Sequence, residues 1–405
     1  MTKFIYISNN AVNRLGRESP FLQQEKEWLS MKFGPFKIIC DTGVYECDYN
    51  ANIRQCNKKR AIDCIRSALF AISDRNVYKE IIHIIKDHKT TFKNIIKLFV
   101  YSYNSHFIYR WTKPYVDNNV ILYSYWFSYD SYACARIKNK NPNIFFISRA
   151  HAYEIQINRN SCNPYLMKSY VCNNSDIIAF ISKDALRSFS HYYTLPFKNG
   201  MVKYLGSTQK GSGYIAREQN DIITILSCSS MLPIKRLDRL VLVLARINKD
   251  RIHWIHIGDG PEKNTIQQMA KDTLDPNPYV TYEFVGYQKN DKVYSYLQRK
   301  DIDLFINVSD SEGVPVSIME AMSVGLPVIA PRIFGIPELV DENCGFLFDL
   351  KDPENSIIEC LNLFSRMQIS ERIQMGENAY KKWKTQFCLE HNLTDLFSAI
   401  PFNIE

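Results

Sequence analysis

The sequence lacks any apolar run approaching the roughly 20 residues that span a bilayer. Its first apolar run, from Phe4 to Ile7, turns polar at Ser8, whereas a secretory signal has a longer apolar region that ends in small residues. We therefore expect a cytoplasmic protein. This pattern is also compatible with peripheral attachment to the inner face of the plasma membrane.

Paired cysteines and several common catalytic motifs are also missing. The eleven cysteines are scattered without Cys-x-x-Cys spacing, which argues against a disulfide framework and against structural zinc. Cys40, Cys134 and Cys228 have apolar neighbours and are predicted to be small core residues. A Walker loop, a dinucleotide Gly-x-Gly-x-x-Gly and a nucleophile–His–carboxylate set are absent as well, so the sequence does not indicate those enzyme classes.

What is present is a two-domain α/β pattern. At 405 residues, with 46% apolar and 23% charged residues, the chain suits two globular domains. Short Val/Ile-rich runs without polar alternation predict strands buried on both faces of parallel sheets, with helices between them. The predicted strands are Phe4–Ser8, Phe36–Cys40, Val120–Tyr123, Ile144–Ser148, Ile177–Ile181, Ile222–Ser227, Trp254–Ile257, Tyr282–Val285, Leu304–Val308 and Pro327–Ala330.

The glycine-rich segment Leu205–Gly213 is the strongest linker signal. It predicts a first Rossmann-like domain over residues 1–208 and a second over 209–405, facing each other across a cleft. The last stretch, Ile373–Phe397, has helical spacing and is expected to pack back on the first domain. Ligands of open α/β sheets bind beyond the carboxyl ends of the strands, so the turns that follow strands are where a site is expected.

The net charge of +8 is concentrated between Arg54 and Lys113, where 13 Lys/Arg oppose 4 Asp/Glu. Apolar residues recur there at helical spacing: Ile81, Ile82, Ile84, Ile85, Ile95, Ile96, Leu98 and Phe99. An amphipathic helix with a solvated basic face is the simpler interpretation. A patch for anionic lipid or for a pyrophosphate-linked acceptor is the alternative. Nucleic-acid binding is not expected, because no recognisable module is present.

The most informative segment, Ser309–Ala330, has the pattern of a turn, a helix and a strand. Pro315 suits the first helical position, where its missing N–H would have no partner. The free N–H groups around Val316 and Ser317 then predict an anion site that fits a diphosphate. Glu320 follows Pro315 by five residues, or roughly 7.5 Å along the helix axis, and is thus placed where a ribose would lie. Glu312 precedes the helix.

Two glutamates separated by seven residues and followed by Ala-Met-x-x-Gly-x-Pro-Val-Ile-Ala resemble the donor-site signature of glycosyltransferase family 4. The resemblance implies retaining enzymes of the GT-B fold, in the branch that builds capsular, O-antigen or exopolysaccharide chains. It further implies that Glu320 holds the ribose hydroxyls of the donor. Glu312 and the following backbone, Gly313 and Val314, would hold hydroxyls of the transferred sugar.

A second similarity to the family lies in Ser227–Arg236, where many members have Gly-Arg-Leu-x-x-x-Lys-Gly. Lys235 falls on the family lysine that binds the donor diphosphate. Ser229 and Ser230 replace the Gly-Arg pair, and Arg236 replaces the following glycine. This departure leaves the usual arginine contact in doubt, and Arg236 is the candidate for a second positive charge because guanidinium matches phosphate oxygens.

Three further turns resemble the family pattern. Gly258 lies in a Gly-Asp-Gly-Pro turn, and Gly286-Tyr287 resembles the loop that contacts the base. In the first domain, His151 follows a predicted strand in place of the family's His-Gly-x-Asp turn and would contact the transferred sugar. The family's glycine-rich first loop is missing, so the resemblance covers the second domain well and about half of the first.

Together these features predict a hexosyltransferase-type enzyme that uses a UDP- or GDP-sugar and acts on a glycan or lipid-linked acceptor in cell-surface polysaccharide synthesis. No cofactor and no metal are expected, because Asp301-Ile302-Asp303 leads into a buried strand and Lys235, Arg236 and the helix terminus supply the positive charge. Two alternatives remain open. One is a nucleotide-sugar epimerase of the same fold, and the other is a non-catalytic nucleotide-binding scaffold.

Overall fold

The computed structural model describes residues 3–13, 17–58, 61–86, 92–155, 167–192, 197–210, 213–218 and 221–401. The chain divides into two compact units, one of residues 1–203 with 394–405 and the other of residues 204–393. Of the predicted linker, residues 211–212 lie outside the described ranges. Within these ranges no helix combines the length and apolar character that a membrane crossing requires.

The first unit is built on an eight-stranded sheet. Its strands are β1 (Lys3–Ile7), β2 (Phe36–Cys40), β3 (Gly43–Cys47), β4 (Ile53–Lys58), β5 (Val120–Ser124), β6 (Phe145–Ala150), β7 (Ile177–Phe180) and β8 (Gly200–Val202). They lie in the order β4-β3-β2-β1-β5-β6-β7-β8, and β2, β1 and β5 to β8 are parallel. Every residue of β5, β6 and β7 is buried, as expected for strands covered on both faces.

The antiparallel strands β3 and β4, of which β4 forms the sheet edge, were not predicted. A two-residue turn joins β2 to β3, which is antiparallel to both β2 and β4. The sequence of β4, Ile-Arg-Gln-Cys-Asn-Lys, carries mostly polar residues because this strand lies at the sheet edge. Its composition therefore does not resemble that of a buried strand.

The helices of the first unit are α1 (Pro20–Phe33), α2 (Ala61–Ser73), α3 (Arg75–Lys86), α4 (Phe92–Thr112), α5 (Tyr129–Lys140), α6 (Ala152–Ile155), α7 (Lys168–Asn173) and α8 (Lys183–Tyr192). Cys40 and Cys134 are buried and Cys228 is partly buried; the ten described cysteines are free thiols.

The second unit is built on a six-stranded parallel sheet. Its strands are β9 (Ile222–Cys228), β10 (Arg251–Ile257), β11 (Val280–Gly286), β12 (Leu304–Ile306), β13 (Val328–Pro331) and β14 (Gly345–Phe348). Their order is β11-β10-β9-β12-β13-β14. Apart from β14, all were predicted. Numbered within the unit, this is the doubly wound order 3-2-1-4-5-6 of nucleotide-binding folds.

The helices of the second unit are α9 (Leu237–Ala245), α10 (Lys263–Leu274), α11 (Asn290–Leu297), α12 (Val316–Met322), α13 (Ile336–Leu339), α14 (Pro353–Arg366), α15 (Ile369–Lys382) and α16 (Leu389–Phe397). A π-helical turn, Trp383–Phe387, separates α15 from α16. From Thr394 onward the chain belongs to the first unit. There the Phe397 ring packs against Trp28 and Phe33, with ring centroids 5.7 and 5.2 Å apart.

Candidate functional site

The topological switch point of the second sheet lies between β9 and β12. These two strands are parallel neighbours, with Ile225 paired to Leu304 and Leu226 to Phe305. From β9 the chain proceeds to β10 on one side, and the later strands β12 to β14 are added on the other. The turns after β9 and β12 therefore leave the same edge of the sheet in different directions, which is where such sheets bind their ligands.

An ion pair joins these two turns. The ammonium group of Lys235, which ends the 3₁₀ turn Pro233–Lys235 after β9, donates to Oε1 of Glu312 at 2.6 Å. The side chains of Lys235 and Glu312 are only 21% and 10% exposed. The structure thus brings together two of the predicted site residues from opposite sides of the switch point, although 77 residues separate them.

Glu312 is held by further donors from its own loop. Its Oε1 also accepts from the hydroxyl of Ser309 at 2.7 Å and from the amide of Asn307 at 3.2 Å. The Oδ1 atom of Asn307 in turn accepts from the Ser309 backbone N–H at 3.0 Å. A buried carboxylate with several donors is held in position. Ser309 and Asn307 were not among the predicted site residues.

The guanidinium of Arg236 is paired with carboxylates of the protein. Its guanidinium donates to Asp238 at 2.9 Å and to Asp310 at 2.9 Å, and the hydrogen bond with Asp238 is the main reason that the pKa of Arg236 lies above its usual range. The Asp310 carboxylate also accepts from Arg239 at 2.6 Å. The charge of Arg236 is therefore balanced within the protein, and its contact with a diphosphate stays a prediction.

The backbone of Arg236 explains the glycine that the family pattern has at this position. Its φ is +51° and its ψ +43°, a left-handed conformation that few non-glycine residues adopt. A backbone hydrogen bond joins the turn before Arg236 to the loop after β12: the Asp310 N–H donates to the carbonyl oxygen of Ile234 at 2.9 Å. The loops that carry Lys235 and Glu312 are thus joined by backbone as well as by side chains.

Helix α12 begins one residue later than predicted. Pro315 is extended, with φ −67° and ψ 122°, and forms the N-cap, so Val316 takes the first helical position. A proline at the N-cap still loses no intrahelical bond, because the first N–H groups of a helix have no partner within it. Val316 and Ser317 are half-buried, as is Gly313, whereas Val314 is 6% exposed.

Glu320 lies on the buried side of α12. It is 6% exposed and accepts from the amide of Asn290, the first residue of α11, at 2.8 Å. Burial raises the pKa of Glu320 above its ordinary value, although the hydrogen bond from Asn290 opposes this. A carboxylate held by one neutral donor has capacity for further hydroxyl donors. Asn290 is a further residue that the sequence did not indicate.

The glycine turns border the same edge of the sheet. Gly258 has φ +154°, and a Cβ atom there would lie 1.8 Å from the Ser229 carbonyl oxygen, so only glycine fits between these turns. The N–H of Gly258 donates to the carbonyl of Gly286 at 3.0 Å. Gly286 has φ +77°, and a Cβ atom there would have no neighbour within 4 Å. Ser230 and Tyr287 are exposed, Tyr287 by 74%.

His151 belongs to the first unit and follows β6 directly. It is 7% exposed, and its ring lies against Tyr125 and Trp126, with centroids 4.9 and 4.5 Å apart. Its backbone N–H donates to the Glu154 carboxylate at 2.9 Å, and Nδ1 lies 3.5 Å from the same group. Burial lowers the pKa of His151, so the ring is neutral at pH 7.

Asp301 and Asp303 have protein partners. Asp301 pairs with Arg299 at 2.6 Å, and Asp303 accepts from the Thr224 N–H at 2.8 Å. Among the residues that the structure describes, no group of three His, Cys, Asp or Glu is placed to hold a metal ion.

Comparison with known proteins agrees with this geometry. Residues 215–382 match the family of glycosyl transferases group 1. The N-acetyl-alpha-D-glucosaminyl L-malate synthase of Bacillus anthracis is 28% identical over 182 residues, which cover 44% of this chain and 45% of that protein. The O-antigen biosynthesis glycosyltransferase WclY of Escherichia coli is 27% identical over 190 residues, 45% of this chain and 50% of WclY. The matched stretches thus span half or less of these relatives.

The whole fold has a counterpart among solved structures. HepE of Anabaena, in complex with UDP, aligns with a TM-score of 0.61 and 12% sequence identity over 98% of this chain and 100% of its own. At this identity the likeness establishes architecture alone, and it extends to both units. The chain therefore has the GT-B fold, and residues 215–382 of its second unit match the model of the family of glycosyl transferases group 1.

Proposed function

We propose that this protein is a retaining, metal-independent glycosyltransferase that transfers a sugar from a nucleoside-diphosphate sugar to a glycan or lipid-linked acceptor during synthesis of a cell-surface polysaccharide. The observation that carries the proposal is the Lys235–Glu312 pair at the switch point of the second sheet. The family match supports the reaction class, and WclY supports polysaccharide synthesis.

Lys235 is the proposed diphosphate ligand. In the structure its charge is directed to Glu312, at the edge where a doubly wound sheet places a phosphate. A diphosphate brings charge that competes for the same ammonium group, and Ser309 and Asn307 continue to hold the carboxylate as Lys235 turns to the phosphate. Glu312 is thereby available to the sugar. HepE was solved with UDP bound, which supports a nucleoside diphosphate as the ligand proposed for this site.

Glu320 is the proposed ribose ligand. Its carboxylate is buried and accepts a hydrogen bond from the amide of Asn290, and its further acceptor positions suit two sugar hydroxyls. The exposed ring of Tyr287, next to Gly286, is the proposed contact for the base. Ser230 and the N–H groups from Gly313 to Ser317 complete the proposed donor site, and His151 remains the predicted contact to the transferred sugar.

In the proposed reaction the bond between the anomeric carbon and the diphosphate oxygen breaks, and its electron pair stays on the diphosphate. The acceptor oxygen bonds to the anomeric carbon from the face that the diphosphate leaves, and its proton passes to a donor phosphate oxygen. Lys235 stabilises the charge that develops on the leaving group, which is the main electrostatic task of such a site. Retention of the anomeric configuration follows.

Incubation with UDP- and GDP-sugars, with and without lipid-linked glycan acceptors, tests the proposal. We expect release of the nucleoside diphosphate to require an acceptor, and the product to keep the donor's anomeric configuration by NMR. Conversion of the donor to an epimer without acceptor would make the protein an isomerase. Nucleotide binding without turnover of any donor would make it a scaffold.

A further inference from the structure

Three helices of the first unit expose large apolar side chains to solvent. Ten of the 23 exposed large apolar side chains that the described residues contain lie between residues 62 and 100. They are Ile62, Ile65, Leu69 and Ile72 on α2, Tyr78, Ile82 and Ile85 on α3, and Phe92, Ile96 and Val100 on α4. Isolated exposed apolar residues are common, but such a concentration on neighbouring helices marks an interaction surface.

On each helix these residues recur every three or four positions and form one stripe. The α2 stripe is the clearest, because Ile65, Leu69 and Ile72 are 58%, 65% and 63% exposed. The buried residues of the same helix are small: Ser67 and Ala71. A helix whose outer face is only in contact with water has the opposite arrangement, with its large apolar residues facing the core.

The basic residues are solvated, as the simpler sequence interpretation expects, but large apolar side chains are exposed as well. Val77 and Ile84 of α3 are buried as that interpretation requires, but Ile82 and Ile85 are exposed beside the exposed basic residue Lys79. The helix therefore has more apolar residues than one buried face can cover.

On α2, α3 and α4, as far as the structure describes them, the exposed charged side chains are all basic. Arg66, Arg75, Lys79 and Lys93 are exposed. The acidic residues of the same helices are directed to protein groups: Asp63 to Arg110 at 3.5 Å, Asp74 to the hydroxyls of Ser102 and Tyr132, and Glu80 to the Met167 N–H at 3.2 Å. A partner of this surface must therefore be apolar and anionic at once.

We infer that α2, α3 and α4 form a docking surface for an anionic lipid bilayer, with the apolar stripes inserted at the interface and the cations among the headgroups. Exposed apolar residues flanked by Lys and Arg are the composition that interfacial helices use. A second copy of this chain would bring the same positive charge to the contact and be repelled. The inference is independent of the donor site, although lipid-linked acceptors would be reached from such a surface.

Vesicle flotation of the full chain tests the inference. We expect binding to vesicles of phosphatidylcholine with phosphatidylglycerol, and much weaker binding to phosphatidylcholine alone or in high salt. The double variant Ile65→Ser/Leu69→Ser should lose binding more than tenfold, since two large apolar side chains no longer insert. Leu242→Ser/Leu363→Ser, which changes two exposed leucines of the second unit, is the matched control and should bind like the wild type.

A charge variant gives a second test that leaves the apolar stripes intact. Replacing Arg66, Lys79 and Lys93 by Gln should weaken binding to the anionic vesicles by about fivefold for each charge removed. Calorimetric titration with UDP should be unchanged in both sets of variants, which separates loss of docking from failure of the donor site. Circular dichroism verifies the helix content.

Failure of the wild type to float with anionic vesicles would overturn the inference, as would wild-type binding by the Ile65→Ser/Leu69→Ser variant. Equal binding to neutral vesicles would overturn the role given to the cations. A wild-type dimer that the stripe variant converts to a monomer, without any vesicle binding, would show that a second copy covers this face instead.

Discussion

At the scale of single residues, the two glutamates of the second unit differ in their surroundings. Glu312 receives Lys235, Ser309 and Asn307 in a loop, whereas Glu320 is fixed in α12 with Asn290 as its donor. We therefore expect the two carboxylates to have separate tasks, because one lies beside the proposed phosphate ligand and the other within a helix. The difference can be measured.

Glu320→Gln should weaken binding of the nucleoside diphosphate and of the nucleotide sugar by similar factors, because both carry the ribose. Glu312→Gln should leave nucleoside-diphosphate affinity nearly intact and lower turnover, since an interaction formed as the sugar departs affects kcat. Calorimetry and steady-state kinetics measure the two effects. The reverse result, with nucleotide binding lost only in Glu312→Gln, would exchange the two roles.

The residues that the sequence left out share a physical cause. Lys235, Glu312 and Glu320 were predicted because the motif has fixed spacing along the chain. Asn290 donates to Glu320, 30 residues away, and Asp310 accepts from Arg236, 74 residues away. Contacts over such distances in the chain cannot be predicted from a local motif. Arg236 was predicted as a second positive charge for the diphosphate; its partner Asp238 lies two residues away in the sequence, but Asp310 comes from a distant loop that the local pattern does not reveal.

At the scale of elements, Asp310 connects α9 to the loop after β12. It accepts from Arg236 and Arg239, and Arg239 also donates to the Val308 carbonyl at 2.9 Å. Asp310→Asn should weaken nucleoside-diphosphate affinity by about 1 kcal/mol, because the loop of Glu312 loses a charged anchor. Calorimetry measures this, with Asp259→Asn, which removes a surface pair with Lys263, as the control. Unchanged affinity would show that Asp310 does not position the site.

In the first unit, Glu25 of α1 and Arg149 of β6 form a buried pair at 3.1 Å. Burial raises the pKa of Glu25 from 4.5 to about 7, with Arg149 opposing. The folded state therefore holds this proton to higher pH than the unfolded state, and the free energy of unfolding should fall as pH rises from about 4.5 to about 7. Glu25→Gln should abolish this fall and, at pH 7 and above where the Glu25 carboxylate is charged, destabilise the protein by about 3–5 kcal/mol by leaving Arg149 unpaired.

Urea unfolding across this pH range measures both effects. Glu27→Gln, an exposed position of the same helix, should change neither the stability nor its pH dependence. A wild-type protein whose stability rises over the same interval would contradict the assignment of Glu25.

At the scale of the whole molecule, the fold was predictable because buried parallel strands have a recognisable composition. Strands such as β5 and β13 are continuous apolar runs, and the two-sheet architecture follows from their alternation with helices. The antiparallel strands β3 and β4 were missed because β4 carries polar residues at the sheet edge and β3 is a short run, Gly-Val-Tyr-Glu-Cys, interrupted by Glu46. The sequence left open whether the apolar periodicity between Ile81 and Phe99 belongs to a buried face or to a lipid patch, because periodicity alone does not say which face is covered.

Activity of the whole enzyme should persist in EDTA. The proposed site meets the leaving diphosphate with Lys235 and backbone N–H groups, and the carboxylates of Asp301 and Asp303 already have protein partners. Donor turnover with and without chelator is the measurement. Activity that disappears in EDTA and returns with added magnesium or manganese would overturn the metal-independent mechanism.

The central claim is that a nucleoside diphosphate binds Lys235 at the switch point of the second sheet, and calorimetric titration of UDP into Lys235→Ala tests it most directly. Losing a charge-assisted contact should weaken affinity by about 1.5–3 kcal/mol, roughly ten- to hundredfold. Lys382→Ala removes a comparably buried pair with Asp341 in the same unit and should bind like the wild type. Wild-type affinity in a folded Lys235→Ala variant would place the diphosphate elsewhere and contradict the claim.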